Sequence, residues 1–101
     1  MSVLVIVKIH ADVPAFLASL KDRAAEYKAI SDEAKTVGAI RHRFGTAGDF
    51  VLVVDEWESE ADFRAFFGNP DLKKFIASVG ADQRFQPEIT VTQAVTSDDQ
   101  F

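Results

Sequence analysis

From Ser2 to His10 the chain is apolar at nearly every position through Val7 and rich in β-branched side chains. This is the pattern of a strand covered on both faces. Val3, Val5, Val7 and Ile9 share one face, while Leu4, Ile6, Lys8 and His10 share the other, apolar only for its first half. At Asp12, a capping residue followed by Pro14 in a tolerated first-turn position, the period changes to three and four. Phe16, Leu20, Ala24 and Tyr27 recur on one side, widened by Leu17 and Ile30. Lys21, Asp22, Glu26 and Lys28 lie opposite. The spacing predicts an amphipathic helix laid on a flat partner and frayed between Ser31 and Lys35.

Two further strands follow, from about Val37 to Thr46 and from Phe50 to Trp57, joined by a hairpin around Ala47 and Gly48. A hairpin closing symmetrically on those two residues sets Phe44 against Val51, His42 against Val53 and Ile40 against Asp55. Ile40, His42, Phe44, Val51, Val53, Asp55 and Trp57 then share one face, and Arg41, Arg43, Leu52, Val54 and Glu56 the other. Ser59 caps a helix whose apolar face is Phe63, Phe66 and Phe67, with Asp62 in its first turn. Gly68-Asn69-Pro70 breaks it. A short helix from Asp71 to Val79 turns Leu72, Phe75, Ile76 and Val79 inward and stops at Gly80. A fourth strand, Glu88 to Val95, offers Ile89, Val91 and Ala94 or Val95 for burial.

The order strand, helix, strand, strand, helix, short helix, strand predicts an α+β fold. It is a ferredoxin-like split βαβ arrangement with a four-stranded antiparallel sheet and helices on one face. One domain spans residues 1–96, followed by a frayed tail, 97–101. Helices on one face leave the other bare, and a second copy of the chain is the economical cover, giving a homodimer. Composition narrows the function. A net charge of −5 leaves no basic footprint for nucleic acid. No apolar run is long enough for a bilayer and no leader pattern is present. The absence of cysteine removes disulfides, thiolate nucleophiles and thiolate metal sites, and makes the cytoplasm the expected compartment. Nine Phe residues against one Trp and one Tyr imply an aromatic core, an apolar interface or an apolar pocket.

Gly38-Ala39-Ile40-Arg41-His42-Arg43-Phe44, then Phe50 through Ser59 with its Asp55-Glu56-Trp57 ending, and the Asn69-Pro70 break carry a resemblance across nearly the whole chain. The sequence resembles the antibiotic biosynthesis monooxygenase domains of the dimeric α+β barrel superfamily. The resemblance implies a homodimer whose two sheets form a shared barrel. It also implies oxidation of phenols or quinols by molecular oxygen without metal or flavin, although relatives degrade heme and others have no established activity. Trp57 matches the family's Trp. A His that many members carry in the second helix falls at Phe66, and another after the break falls at Asp71. A heme ligand from that helix is therefore missing, and so is a polar handle for a quinol.

Only two histidines are present. His10 ends the first strand and is either a solvated strand end or a pocket-rim residue. His42 lies mid-strand on an apolar face with Asp55 as its diagonal neighbour. A carboxylate there fixes the tautomer and raises the basicity of the free nitrogen, making a proton acceptor for a phenol or enol, or else simply holds the sheet together. The pair is expected to be mostly buried and hydrogen-bonded. Arg41 and Arg43 either pair with Glu56 or a partner-subunit acid, or hold an anionic substrate group. Phe63, Phe66, Phe67 and Phe75, with Trp57, are core residues that can also shape a flat apolar pocket. No metal-ligand spacing, phosphate loop or nucleophile turn occurs, so no cofactor is expected. Two functions remain open: a cofactor-independent monooxygenase acting on a small phenolic or quinol-like aromatic, with His42 and Asp55 as catalytic residues, or a non-catalytic dimeric module that binds a small molecule or serves as an accessory protein.

Overall fold

The computed structural model describes residues 1–101. The elements are β1 (Val3–His10), α1 (Val13–Asp22), α2 (Ala24–Thr36), β2 (Ala39–Ala47), β3 (Phe50–Trp57), α3 (Glu60–Phe67), α4 (Pro70–Ser78) and β4 (Glu88–Gln93). The strands form one antiparallel sheet in the order β2-β3-β1-β4, the ferredoxin-like arrangement. A single chain leaves this sheet open at β2 and β4, so closing it into a barrel requires a second copy.

The first helix departs from the expected single unit. It breaks at Arg23, whose backbone leaves helical geometry at φ −123° and ψ 32°. The break is compensated by the Arg23 guanidinium, which donates to both Glu26 carboxylate oxygens at 2.7 Å and to Ser78 Oγ at 2.6 Å, and covers the Phe75 ring. The expected fraying between Ser31 and Lys35 does not occur. α2 runs to Thr36 because Asp32 accepts from Lys28 and pairs with Lys35, while Ala34 is buried against the sheet. Leu17, placed in the apolar stripe by period, is half exposed. The caps fall where expected: Asp12 accepts from Ala15 N–H and Ser59 from Asp62 N–H.

The hairpin closes one step later than symmetry about Ala47 and Gly48 predicts. Ala47 pairs with Phe50, leaving Gly48 and Asp49 as the turn, because Gly48 alone adopts positive φ (55°) at the first central position. His42 therefore faces Asp55 directly and Phe44 faces Val53. The pairing shift is two residues, so every side chain keeps its predicted face, except around Ile40. There a β-bulge lets Ala39 oppose Trp57 and expels Ile40 to an exposed position.

The helices cover the face made by Val3, Val5, Val7, Ile9, Val51, Val53, Asp55 and Trp57. The core gathers there around Val5, Val7, Trp57 and Phe63, with a second cluster of Phe16, Val51 and Val79. On the other face Leu4, Ile6 and Val54 stay 42–44% exposed, beside Leu52, Lys8 and the Arg41–Glu56 pair. β4 ends at Gln93, two residues short of the expected Val95, which is exposed.

Candidate functional site

A cavity of about 390 Å³ opens between the helices and the covered sheet face, and 21 of its 27 lining residues are hydrophobic. Such a pocket holds an apolar body and leaves orientation to a few polar groups. Its walls are rings. Phe44 stands edge-on to Phe16 (centroids 5.0 Å), Tyr27 (6.0 Å) and the His42 imidazole (4.6 Å), and Tyr27 stands edge-on to Phe75 (5.0 Å). At the other end Trp57 packs on Phe63 and Phe66, and Phe63 stacks on Phe67.

The polar centre is Asp55, a buried carboxylate in β3. Its Oδ1 lies 2.7 Å from His42 Nδ1, across the strand pair. Its Oδ2 accepts from Trp57 Nε1–H at 3.1 Å, two residues along the same face. With both oxygens accepting, the His42 ring carries its proton on Nδ1 and keeps a lone pair on Nε2, and the residue lines the pocket. The hydrogen bond matches expectation. The expected burial of the His42 ring does not: its side chain is 41% exposed, because β2 is an edge strand beyond the full cover of the helices.

The structure brings His42, Asp55, Trp57, Phe63, Phe66, Phe67 and Phe75 together around one cavity, with Arg41 at its margin beside Glu56 (3.4 Å). Arg43 and His10 do not line it. Both lie on the opposite sheet face by strand alternation. His10 packs at a tilt against Phe85 (centroids 4.5 Å), its Nε2 sits 3.5 Å from Glu88, and its Nδ1 is buried without a partner. Nearby, Asp82 is held at about 2, below its ordinary 3.8, chiefly by the Arg84 guanidinium and also by the Arg84 backbone N–H. Sequence reasoning missed Phe16, Tyr27 and Phe44 as walls, although the helical and strand periods had turned all three inward. No group of three or more His, Cys, Asp or Glu side chains is gathered that could hold a metal ion, and no helix is long and apolar enough to cross a membrane.

No family model and no curated protein matches the chain. Solved structures do. A monooxygenase from the gene ActVA-Orf6 of Streptomyces coelicolor, in complex with Nanaomycin D, superposes at a TM-score of 0.67 with 19% identity, covering 95% of this chain and 89% of that one. The chain shares the ferredoxin-like fold of these monooxygenases. SnoaB, a cofactor-independent oxygenase from Streptomyces nogalater, gives a TM-score of 0.64 with 11% identity over 98% of both chains. A dimeric ferredoxin-like protein from an uncultured marine organism gives 0.65 with 15% identity, over 99% of this chain and 93% of that one. At these identities the likeness establishes the fold and leaves substrate and chemistry to be argued from the site.

Proposed function

We propose that this chain is a homodimeric, cofactor-independent monooxygenase acting on a small phenolic or quinol-like aromatic, and that it works in the cytoplasm. The observation that carries this reading is a His42 imidazole oriented by Asp55 through Nδ1, on a residue that lines an aromatic pocket. A phenol laid between the rings gives its O–H proton to Nε2, and the buried Asp55 carboxylate stabilises the imidazolium that forms. The phenolate is electron-rich enough to reduce dioxygen. Oxygen joins a ring C–H carbon, the imidazolium returns its proton to the peroxide, and loss of water leaves a ring carbonyl. One dioxygen thus converts a phenol to a quinone plus water, with all four electrons drawn from the substrate. The likeness in fold to a cofactor-independent oxygenase supports this chemistry. The absence of cysteine supports its independence of thiolate-bound metals.

A second reading, a binding module without turnover, is favoured by Phe66 and Asp71 standing where the resemblance puts histidines, and by the few polar groups on the wall. Oxygen uptake on a panel of phenols and quinols separates the two. Uptake that is abolished in His42→Ala supports the mechanism, uptake that survives it removes His42 as the base, and binding without uptake leaves the module.

A further inference from the structure

The aromatic wall of the pocket has already spent its hydrogen-bond donors. Trp57 donates its only N–H to Asp55. His42, in its neutral form, has its one proton on Nδ1 facing Asp55. Tyr27 Oη and Ser19 Oγ are 2.7 Å apart, and the single Ser19 hydroxyl hydrogen goes to the Phe16 carbonyl at 2.5 Å, so the shared bond runs from Tyr27 O–H to Ser19. What the wall has left is a lone pair, His42 Nε2. Ser31, half-buried on α2, has a free hydroxyl that donates or accepts and so does not discriminate. The charged groups at the mouth, Lys28, Lys35 and Arg41, are paired with Asp32 and Glu56 and are mostly exposed, so their remaining N–H groups are hydrated.

We propose that the pocket selects its ligand by hydrogen-bond direction, holding a hydroxyarene whose O–H donates to His42 Nε2 and rejecting the matching quinone, which offers only acceptors. The inference rests on the ligand reading above and extends it to the product. Oxidation of a phenol to a quinone replaces the donor by carbonyls, so the reaction weakens the grip on what it makes. A fully enclosed site discriminates in this way by several powers of ten. Water reaches the half-exposed His42 and satisfies Nε2 in part, so about tenfold is expected here.

The test is equilibrium calorimetry under argon at pH 8 with 1-naphthol, 1-methoxynaphthalene and 1,4-naphthoquinone, a series that varies the donor at near-constant shape. 1-Naphthol should bind about tenfold tighter than the other two. His42→Ala should bring all three to one affinity. His42→Phe, which keeps a ring against Phe44 but removes the acceptor, gives the same test should His42→Ala fail to fold. His42→Gln can donate its amide to Asp55 and present its carbonyl oxygen, so it should keep the preference while losing oxygen uptake. Equal affinities in the wild-type protein, no binding of 1-naphthol, or a preference that survives both His42→Ala and His42→Phe would overturn the proposal. Because no turnover occurs under argon, selective binding without oxygen uptake removes the enzyme reading alone. Uptake with equal affinities removes this inference alone.

Discussion

Asp55→Asn should invert the chemistry of His42 while leaving the fold in place. The substitution keeps the shape of a buried side chain and changes one acceptor oxygen to an NH₂. Trp57 Nε1 can only donate, so the amide oxygen must turn to it and the NH₂ must face His42 Nδ1. Nδ1 then accepts, the ring proton moves to Nε2, and the nitrogen open to the pocket becomes a donor. Replacing two charge-assisted bonds of about 1.5–3 kcal/mol each by neutral ones of about 0.5–1.5 should cost about 2–3 kcal/mol of stability. Asp55→Leu should cost more, because it strands the indole N–H of Trp57, which is 2% exposed. Loss of the base should lower oxygen uptake by about 10²–10⁴-fold. Long-range proton–nitrogen correlation spectra of ¹⁵N-histidine protein report the tautomer directly, with His10 as the internal reference. A His42 that keeps its Nδ1 proton in Asp55→Asn, or an Asp55→Asn protein as unstable as Asp55→Leu, refutes the reasoning.

Two smaller predictions concern the scaffold. The Asp82 carboxyl is depressed, so its ion pair is present above the ordinary 3.8 and is lost as pH falls through about 2; Arg84→Ala removes the guanidinium but keeps the backbone N–H, so the Asp82 titration, followed by carboxyl NMR, should rise toward 3.8 and stop short of it. Gly38 sits at φ 120°, and an added Cβ would lie 2.7 Å from Asp62 Oδ2, so Gly38→Ala should lower the urea stability by about 1–3 kcal/mol, while Gly45→Ala, whose Cβ would meet only Leu52 Cβ at an ordinary 4.0 Å and whose φ is unstrained, should cost less.

The sheet was legible because strand alternation leaves little freedom. Val3, Val5 and Val7 could only share a face, and the Asp55-x-Trp57 spacing put carboxylate and indole on one side of β3, where they bond. The His42–Asp55 contact survived even a mistaken register, since a shift of two residues preserves faces and brought the pair from diagonal to directly opposed. The break at Arg23 was not legible. It is compensated by Ser78 and Phe75, more than fifty residues away in sequence, and no local signal reports such a contact. The bulge at Ile40 was equally hidden, because nothing in Ala39-Ile40-Arg41 distinguishes the residue that pairs with Trp57 from the one expelled. His10 shows the limit of reading a strand end: its ring partner, Phe85, comes from the loop before β4. The half-exposure of His42 follows from the position of β2 at the sheet edge, which depends on strand order and not on the strand itself.

The homodimer reading can be tested by magnitude as well as by size. Leu4, Ile6 and Val54 are 42–44% exposed on the bare face. Full burial of such a side chain is worth about 1.5–3 kcal/mol, so about 0.6–1.3 remains to be gained from each, or about 4–8 for the six in two subunits. Association costs at least about 4 kcal/mol in lost translational and rotational freedom. These aliphatic contacts therefore offset association without giving tight binding, and the rest must come from charge. Arg41 faces Glu56 at 3.4 Å but is mostly exposed. Arg43 lies opposite Val54 and has no ion pair within its own chain. A two-fold axis through the face gives the arginines access to the partner's carboxylates, where fork-shaped pairing is strongest. Light scattering at micromolar concentration should give about twice the chain mass of 11.1 kDa, and the dissociation constant should rise with salt, as expected of pairs only partly shielded from solvent. Ile6→Glu, which puts a charge in the middle of the aliphatic patch, should yield monomers that keep the Trp57 core. A wild-type protein that stays at 11.1 kDa, or a dimer indifferent both to salt and to Ile6→Glu, would show that the bare face is not where two copies meet.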